Sequence, residues 1–158
     1  MVFSNIALIT ACGNKKENTS QPAGKLYKSS RIRHLYRRSK ELGVHFYILS
    51  AKYGLINADT IIEPYDQIMT KERAKELLPQ VKEILTGFNV VIFYQGGARK
   101  EYRELIERAC KEVGVKLVVF GYGNMGDIGK LENLLGEIYN ARDHSQILSR
   151  PWKDGSTA

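Results

Sequence analysis

The stretch Ile6-Ala7-Leu8-Ile9-Thr10-Ala11-Cys12-Gly13-Asn14-Lys15-Lys16 passes within a few residues from a continuous, branched apolar run to a thiol, a glycine, an amide and two lysines. A run without polar alternation needs cover on both faces, which is the condition of a strand inside a parallel sheet. Three further runs end in the same way. His45-Phe46-Tyr47-Ile48-Leu49-Ser50 stops before Lys52-Tyr53-Gly54, Asn89-Val90-Val91-Ile92-Phe93-Tyr94 stops at Gly96-Gly97, and Val115-Lys116-Leu117-Val118-Val119-Phe120 stops at Gly121-Tyr122-Gly123. Between and after them the apolar period changes to that of a helix. Ile32, Leu35, Tyr36 and Leu42 mark one helical face, closed by Gly43, and Tyr102, Leu105, Ile106, Ala109 and Val113 mark another, closed by Gly114. Ala74, Leu77, Leu78, Val81 and Leu85 mark a third around Pro79, which predicts a kink or a fresh start there, and Ile128, Leu131, Leu135 and Ile138 mark a fourth. Strand and helix alternating in this order predict a three-layer α/β/α domain over residues 1–141. Its sheet should be mostly parallel, of about four strands, in a Rossmann-like arrangement. Residues 142–158 lose the period and read as a C-terminal tail, with Trp152 expected to dock back on the domain.

Composition sets the outer bounds. With 158 residues, 43% hydrophobic and 26% charged, the chain can bury a core, and bulk disorder is excluded. No apolar run is long enough to cross a bilayer, and the start of the chain has no basic segment before its apolar stretch, so a cytoplasmic protein without membrane contact is expected. Two cysteines, Cys12 and Cys110, make neither a disulfide framework nor a four-thiolate metal site, and neither a metal nor a cofactor is expected. Nothing in the sequence specifies an oligomeric state.

The net charge of +7 is unevenly placed. Residues 1–40 hold nine of the 24 Lys and Arg side chains and one of the 17 acids, so the whole excess belongs to this quarter of the chain. Such a concentration suits phosphate, on a nucleotide or on a nucleic acid; it equally suits a solvated basic helix.

In an open parallel sheet ligands bind beyond the carboxyl ends of the strands, and here those ends collect the unusual residues. Cys12, Gly13, Asn14, Lys15 and Lys16 follow the first strand, a setting for an anion although the glycine spacing is neither a P-loop nor a dinucleotide fingerprint. Cys12 is a candidate nucleophile or a plain buried thiol. Ser29 stands near the start of the first helix, as cap or ligand contact, and Arg33, Arg37 and Lys40 lie on one stripe of that helix as candidates for nucleic-acid contact. After the second strand come Ser50, Lys52, Tyr53 and Gly54, then Glu63-Pro64-Tyr65-Asp66. Tyr53 and Tyr65 are candidates for stacking on a base, and Asp66 for a base edge, for general base work, or simply as cap of the next helix. Gly96 and Gly97 allow close backbone approach, Tyr102 opens the following helix, and Gly123 sits in a glycine-rich last loop. Spaced as G-x-G-x-x-G at 121, 123 and 126, that loop is a weak dinucleotide match, since it follows the last strand.

Five blocks in order carry a resemblance: Cys12-Gly13-Asn14-Lys15-Lys16; Ala23-Gly24-Lys25-Leu26-Tyr27-Lys28-Ser29-Ser30; Ile48-Leu49-Ser50-Ala51-Lys52-Tyr53-Gly54-Leu55; Glu63-Pro64-Tyr65-Asp66; and Gly121-Tyr122-Gly123-Asn124-Met125-Gly126. Together they resemble the domain-of-unknown-function family 6884. That family is distantly similar to the catalytic part of archaeosine synthase and to uracil-DNA-glycosylase-like α/β domains. The resemblance implies a site for a purine-like base or nucleotide at the carboxyl edge of the sheet. The sequence departs from the family where a serine commonly follows the cysteine; here Gly13 stands, one hydroxyl fewer.

Two functions follow as expectations. In the first, the site takes a nucleobase or nucleotide and carries N-glycosidic or base-transfer chemistry. Lys15, Lys16 and Lys52 would hold phosphate, Tyr53 or Tyr65 would stack on the base, and Asp66 would orient water or stabilise an oxocarbenium-like ribose, with Asp66 and Lys52 as the catalytic pair. In the second, the basic first forty residues make a non-catalytic nucleic-acid-binding module. The partner in either case bears phosphate.

Overall fold

The computed structural model describes residues 3–121 and 125–143. The four expected runs form strands β1 (Phe3–Ala11), β3 (Val44–Ser50), β6 (Val90–Tyr94) and β7 (Lys116–Phe120). Short strands β2 (Gln21–Pro22), β4 (Gly54–Asn57) and β5 (Ile61–Ile62) lie between β1 and β6 in the chain. The helices are α1 (Ala23–Leu26), α2 (Ser30–Leu42), α3 (Lys71–Leu85), α4 (Lys100–Val113) and α5 (Leu131–Asp143), the last preceded by a 3-10 helix over Met125–Lys130.

The main sheet has the order β4-β3-β1-β6-β7, with β3, β1, β6 and β7 parallel. The fifth strand, β4, runs antiparallel on β3 through Tyr47–Asn57 to Ser50–Gly54 pairings. Sequence reading leaves Gly54 to Asn57 in a loop, because four residues are too few to show a period. Gly54 makes the turn: its φ is +78°, and a Cβ there would meet Gln80 Oε1 at 2.4 Å. Gln80 holds the edge strand from α3 by clamping both backbone groups of Leu55, accepting from its N–H and donating to its C=O at 2.9 Å each.

Alternate residues of β1 explain the three layers. Ile6 and Leu8 face α2 and α5, packing with Ile32, Leu35, Leu131 and Ile138. Ala7, Ile9 and Ala11 face α3 and α4, packing with Leu77, Val81, Leu105 and Ile106. All five β1 residues are at most 1% exposed, and each fully buried Ile or Leu side chain contributes about 1.5–3 kcal/mol. Gly43 and Gly114 close α2 and α4 in left-handed conformations, as their positions predict. Pro79 neither ends nor restarts α3, which runs through it. The buried face of Leu77, Leu78, Val81 and Leu85 outweighs the roughly 3 kcal/mol that an interior proline costs, and Pro79 itself is exposed. Among the described residues no helix is long and apolar enough to cross a membrane. Helix α5 runs to Asp143; the tail from 144 onward, with Trp152, lies outside the described residues.

This strand order fixes one special place. From β1 the chain crosses to β3 on one side, and from β6 it crosses to β7 on the other. The two connections diverge, leaving a crevice beyond the carboxyl ends of β1 and β6, the topological switch point of the sheet.

Candidate functional site

The buried hydroxyl of Thr10, on β1, donates to the carbonyl of Tyr94, on β6, at 3.1 Å and so ties the two strand ends together. Arg31, in the first turn of α2, lies over this tie. Its Nη1 donates to Thr10 Oγ1 and, at 3.1 Å, to the carbonyl of Ala11. A guanidinium has five N–H donors. Both on Nη1 are used, whereas Nε and Nη2 have no partner among the described residues, and no carboxylate there pairs with Arg31. That free edge is turned to Gly97, whose φ is +74° and whose missing Cβ would stand 3.3 Å from Nε and 3.6 Å from Nη2. Burial holds the Arg31 pKa below its ordinary value, the mark of a cation desolvated without a counter-ion.

Around this edge opens a cavity of about 490 Å³. The loop after β1 lines it with Cys12, Gly13, Asn14 and Lys15; the start of α2 adds Lys28, Ser29 and Arg31; Gln67 and Ile68 come from the segment before α3, and Gly97, Arg99 and Tyr102 from the turn into α4. Four of these side chains are cationic and none is a carboxylate. Arg99 has Glu101 at 3.6 Å, whereas Lys15 and Lys28 are exposed and have no ion pair among the described residues. Ser29 caps α2, its Oγ accepting from the N–H of Ile32 at 3.2 Å. Cys12 is on the wall, with Sγ 3.2 Å from the hydroxyl of Tyr102. Burial, then the neighbouring thiol, raises the Tyr102 pKa, so its hydroxyl stays protonated at neutral pH.

A second constellation stands beside the cavity. Tyr27 and Tyr65 share a hydroxyl–hydroxyl hydrogen bond of 2.7 Å, and Ser50 Oγ donates to Tyr65 at 2.8 Å. Ser50 Oγ also accepts from the backbone N–H groups of Lys52 and Tyr53. Lys16 places its ammonium 4.4 Å from the centre of the Tyr65 ring and donates to the carbonyl of Asn14. Burial raises the pKa values of Tyr27 and Tyr65 above the ordinary phenol range, and the nearby thiol of Cys12 raises both further. This cluster is a buried hydrogen-bond frame that fixes the loops after β1 and β3 against one another.

The sequence candidates therefore separate. Cys12, Gly13, Asn14, Lys15, Ser29, Gly97 and Tyr102 come together at the cavity. Lys16, Ser50, Tyr53 and Tyr65 belong to the tyrosine frame, Tyr53 meeting Tyr65 edge-on at 5.5 Å. Lys52 is exposed beside the ring of Tyr53, with its ammonium 5.3 Å from the ring centre. Gly54 turns the chain into β4, and Gly96 is buried in the turn into α4. Asp66 is exposed, does not line the cavity and does not cap α3, because Thr70 takes that place, its Oγ1 accepting from the N–H of Arg73 at 3.0 Å. Gly123 lies outside the described residues. Arg33, Arg37 and Lys40 line a different groove, along α2. Arg33 pairs there with Glu17 at 2.7 Å and Lys40 with Asp59 at 2.8 Å.

Arg31, Arg99, Gln67 and Ile68, which the sequence reading does not single out as site residues, complete the cavity together with Lys28. For Arg31 a signal existed: it follows the cap residue Ser29 by two positions, in the first turn of the helix that leaves the central strand. At Gly13 an added Cβ would make ordinary contacts of 3.7–3.8 Å with Ser29, Tyr27 and Ile32, so the backbone there leaves space for a Cβ.

Fold and site define an α/β protein with a cationic cleft at the switch point of a parallel sheet. The chain belongs to the family of unknown function DUF6884, whose model matches residues 6–127, from β1 into the 3-10 helix. Neither the curated proteins nor the solved structures hold a significant match to it.

Proposed function

We propose that the switch-point cavity binds a nucleotide through its phosphate. The observation that carries this reading is the lining itself: four cations, no carboxylate, and at the centre a guanidinium edge with three unused donors. The Nε–Nη2 edge matches two oxygens of one phosphate in bidentate fashion. Gly97 leaves the space in which those oxygens would lie. Gln67 supplies an amide for a base edge, and Ile68, 53% exposed at the rim, an apolar surface for a base face. A volume of about 490 Å³ is in the range of small-molecule sites.

The N-glycosidic reading draws its support from Asp66, the residue next to Gln67, which has no hydrogen bond or ion pair among the described residues. With no carboxylate in the lining, binding is the better supported part and hydrolysis the further step.

Calorimetric titration with nucleoside 5′-monophosphates, the matching nucleosides and inorganic phosphate tests the proposal. The monophosphates are expected to bind, phosphate alone to bind more weakly, and the nucleosides to lose at least tenfold. Equal affinity for nucleoside and nucleotide refutes a site built on phosphate. Release of free base from a bound monophosphate, abolished by Asp66→Asn with binding retained, is the outcome expected of the N-glycosidic step.

A further inference from the structure

The groove along α2 is not an isolated basic surface. It has a volume of about 620 Å³, and Lys25, Arg33, Arg37 and Lys40 face it with a single carboxylate, Glu17. Lys25 and Arg37 have no ion pair among the described residues. The pairs that hold Arg33 and Lys40 are solvent-exposed, and such pairs are worth only about 0–1 kcal/mol, so a polyanion can take over both cations.

The groove and the switch-point cavity are joined by one short piece of backbone. Residues 15–17 and 26–28 run antiparallel, with the N–H of Lys28 donating to the carbonyl of Lys15, the N–H of Glu17 donating to that of Leu26, and a bridge between Lys16 and Tyr27. Lys15 and Lys28, at one end of this ladder, line the cavity; Glu17 and Lys25, at its other end, line the groove. Two extended residues cover roughly 7 Å, so the wall of one depression and the wall of the next stand about a nucleotide step apart along this backbone. The cleft bordered by α2 and α5 on the same side of the sheet is lined by Glu41, Glu132 and Glu137 and by no cation.

We propose, resting on the nucleotide reading above, that the bound nucleotide is one unit of a single-stranded nucleic acid whose phosphates continue from the cavity along α2. A single strand fits this track better than a duplex, because a unit that enters the cavity has left the base stack. Continuous phosphate, not one phosphate, explains why the cations extend beyond the cavity.

The test is fluorescence anisotropy with labelled single-stranded RNA and DNA of about ten nucleotides, competed by a nucleoside monophosphate and by inorganic polyphosphate. The oligonucleotide is expected to bind at least tenfold more tightly than the monophosphate. Lys25→Ala and Arg37→Ala should each weaken it and reduce the salt slope by about 0.7, with affinity for the monophosphate unchanged. Arg31→Gln should weaken both ligands. RNA and DNA binding alike point to recognition of phosphate and base; a preference for RNA adds a contact to the 2′-hydroxyl. Oligonucleotide affinity equal to that of the monophosphate, or indifferent to Lys25→Ala and Arg37→Ala, overturns the proposal and leaves the nucleotide reading standing. Displacement by polyphosphate as effective as by oligonucleotide overturns it too, in favour of a general polyanion surface. Absence of monophosphate binding with oligonucleotide binding insensitive to Arg31→Gln overturns both.

Discussion

Replacing Arg31 by methionine separates what this residue does for the fold from what it does for the ligand. The guanidinium is partly buried, makes two hydrogen bonds through Nη1, and pairs with no carboxylate among the described residues. Its pKa is lower in the folded than in the unfolded chain, so folding is disfavoured by the charge wherever arginine is protonated, which includes the whole range in which proteins are studied. The penalty is therefore flat with pH. Hydrogen bonds from a charged group are worth about 1.5–3 kcal/mol each, and desolvating an unpaired ion costs several kcal/mol. These oppose one another. Thr10 Oγ1 keeps its own bond to Tyr94 in the variant, and the methionine fills most of the space. The expected change in stability of the unliganded protein is thus within about 2 kcal/mol of zero, by urea denaturation. The ligand sees a different balance. Loss of two charge-assisted bonds to phosphate, about 3 kcal/mol together at the low end, raises Kd by roughly a hundredfold, as read by calorimetry with a nucleoside monophosphate. A variant that is 4 kcal/mol or more less stable would mean that Arg31 is a structural strut. An affinity changed by less than threefold would mean that the anion is held elsewhere. Either result refutes the role derived from the free edge.

Two further outcomes follow from other parts of the molecule. Cys12 is partly exposed on the cavity wall, whereas Cys110 is buried in α4 with its thiol pushed up to about 12, so native protein should take one alkyl group from iodoacetamide, on Cys12, and a second only after unfolding. Peptide mass spectrometry checks the site, and a saturating nucleotide should slow the first modification severalfold; equal labelling of both thiols in native protein contradicts the burial of Cys110. Gly24→Ala should lower the urea midpoint by an amount equivalent to about 1–3 kcal/mol, because a Cβ there would stand 2.4–2.6 Å from ring carbons of Tyr36, whose hydroxyl is anchored to Asp59. An unchanged midpoint rules out the close seating of that ring on the backbone.

The legible part of this protein is the part written in neighbouring residues. The strands β1, β3, β6 and β7 and the stops at Gly43 and Gly114 are local signals: uninterrupted branched runs have to be buried on both faces, and a glycine after an amphipathic period closes a helix. Strand β4 was not legible, since its four residues owe their conformation to Gln80, which approaches from α3. Pro79 does not restart the helix for the same reason, the helix around it being held by a face that packs elsewhere. At the carboxyl edge the sequence names loops that line the cavity but not which of their side chains meet. Lys15 and Lys16 are indistinguishable as neighbours in the chain, yet one lines the cavity and the other lies over Tyr65.

By itself, then, the sequence determined an α/β domain, its parallel strands, and the concentration of positive charge in its first forty residues, because periodicity and composition are properties of the chain alone. Only the tertiary structure decided which of those charges are spent. Glu17 and Asp59, apart in the chain from Arg33 and Lys40, neutralise these two on the surface of α2. Arg31, two residues from Arg33 on the same helix, is instead carried over the end of β1 and left with an open edge, since strand order puts β1 and β6 side by side and no carboxylate among the described residues pairs with it.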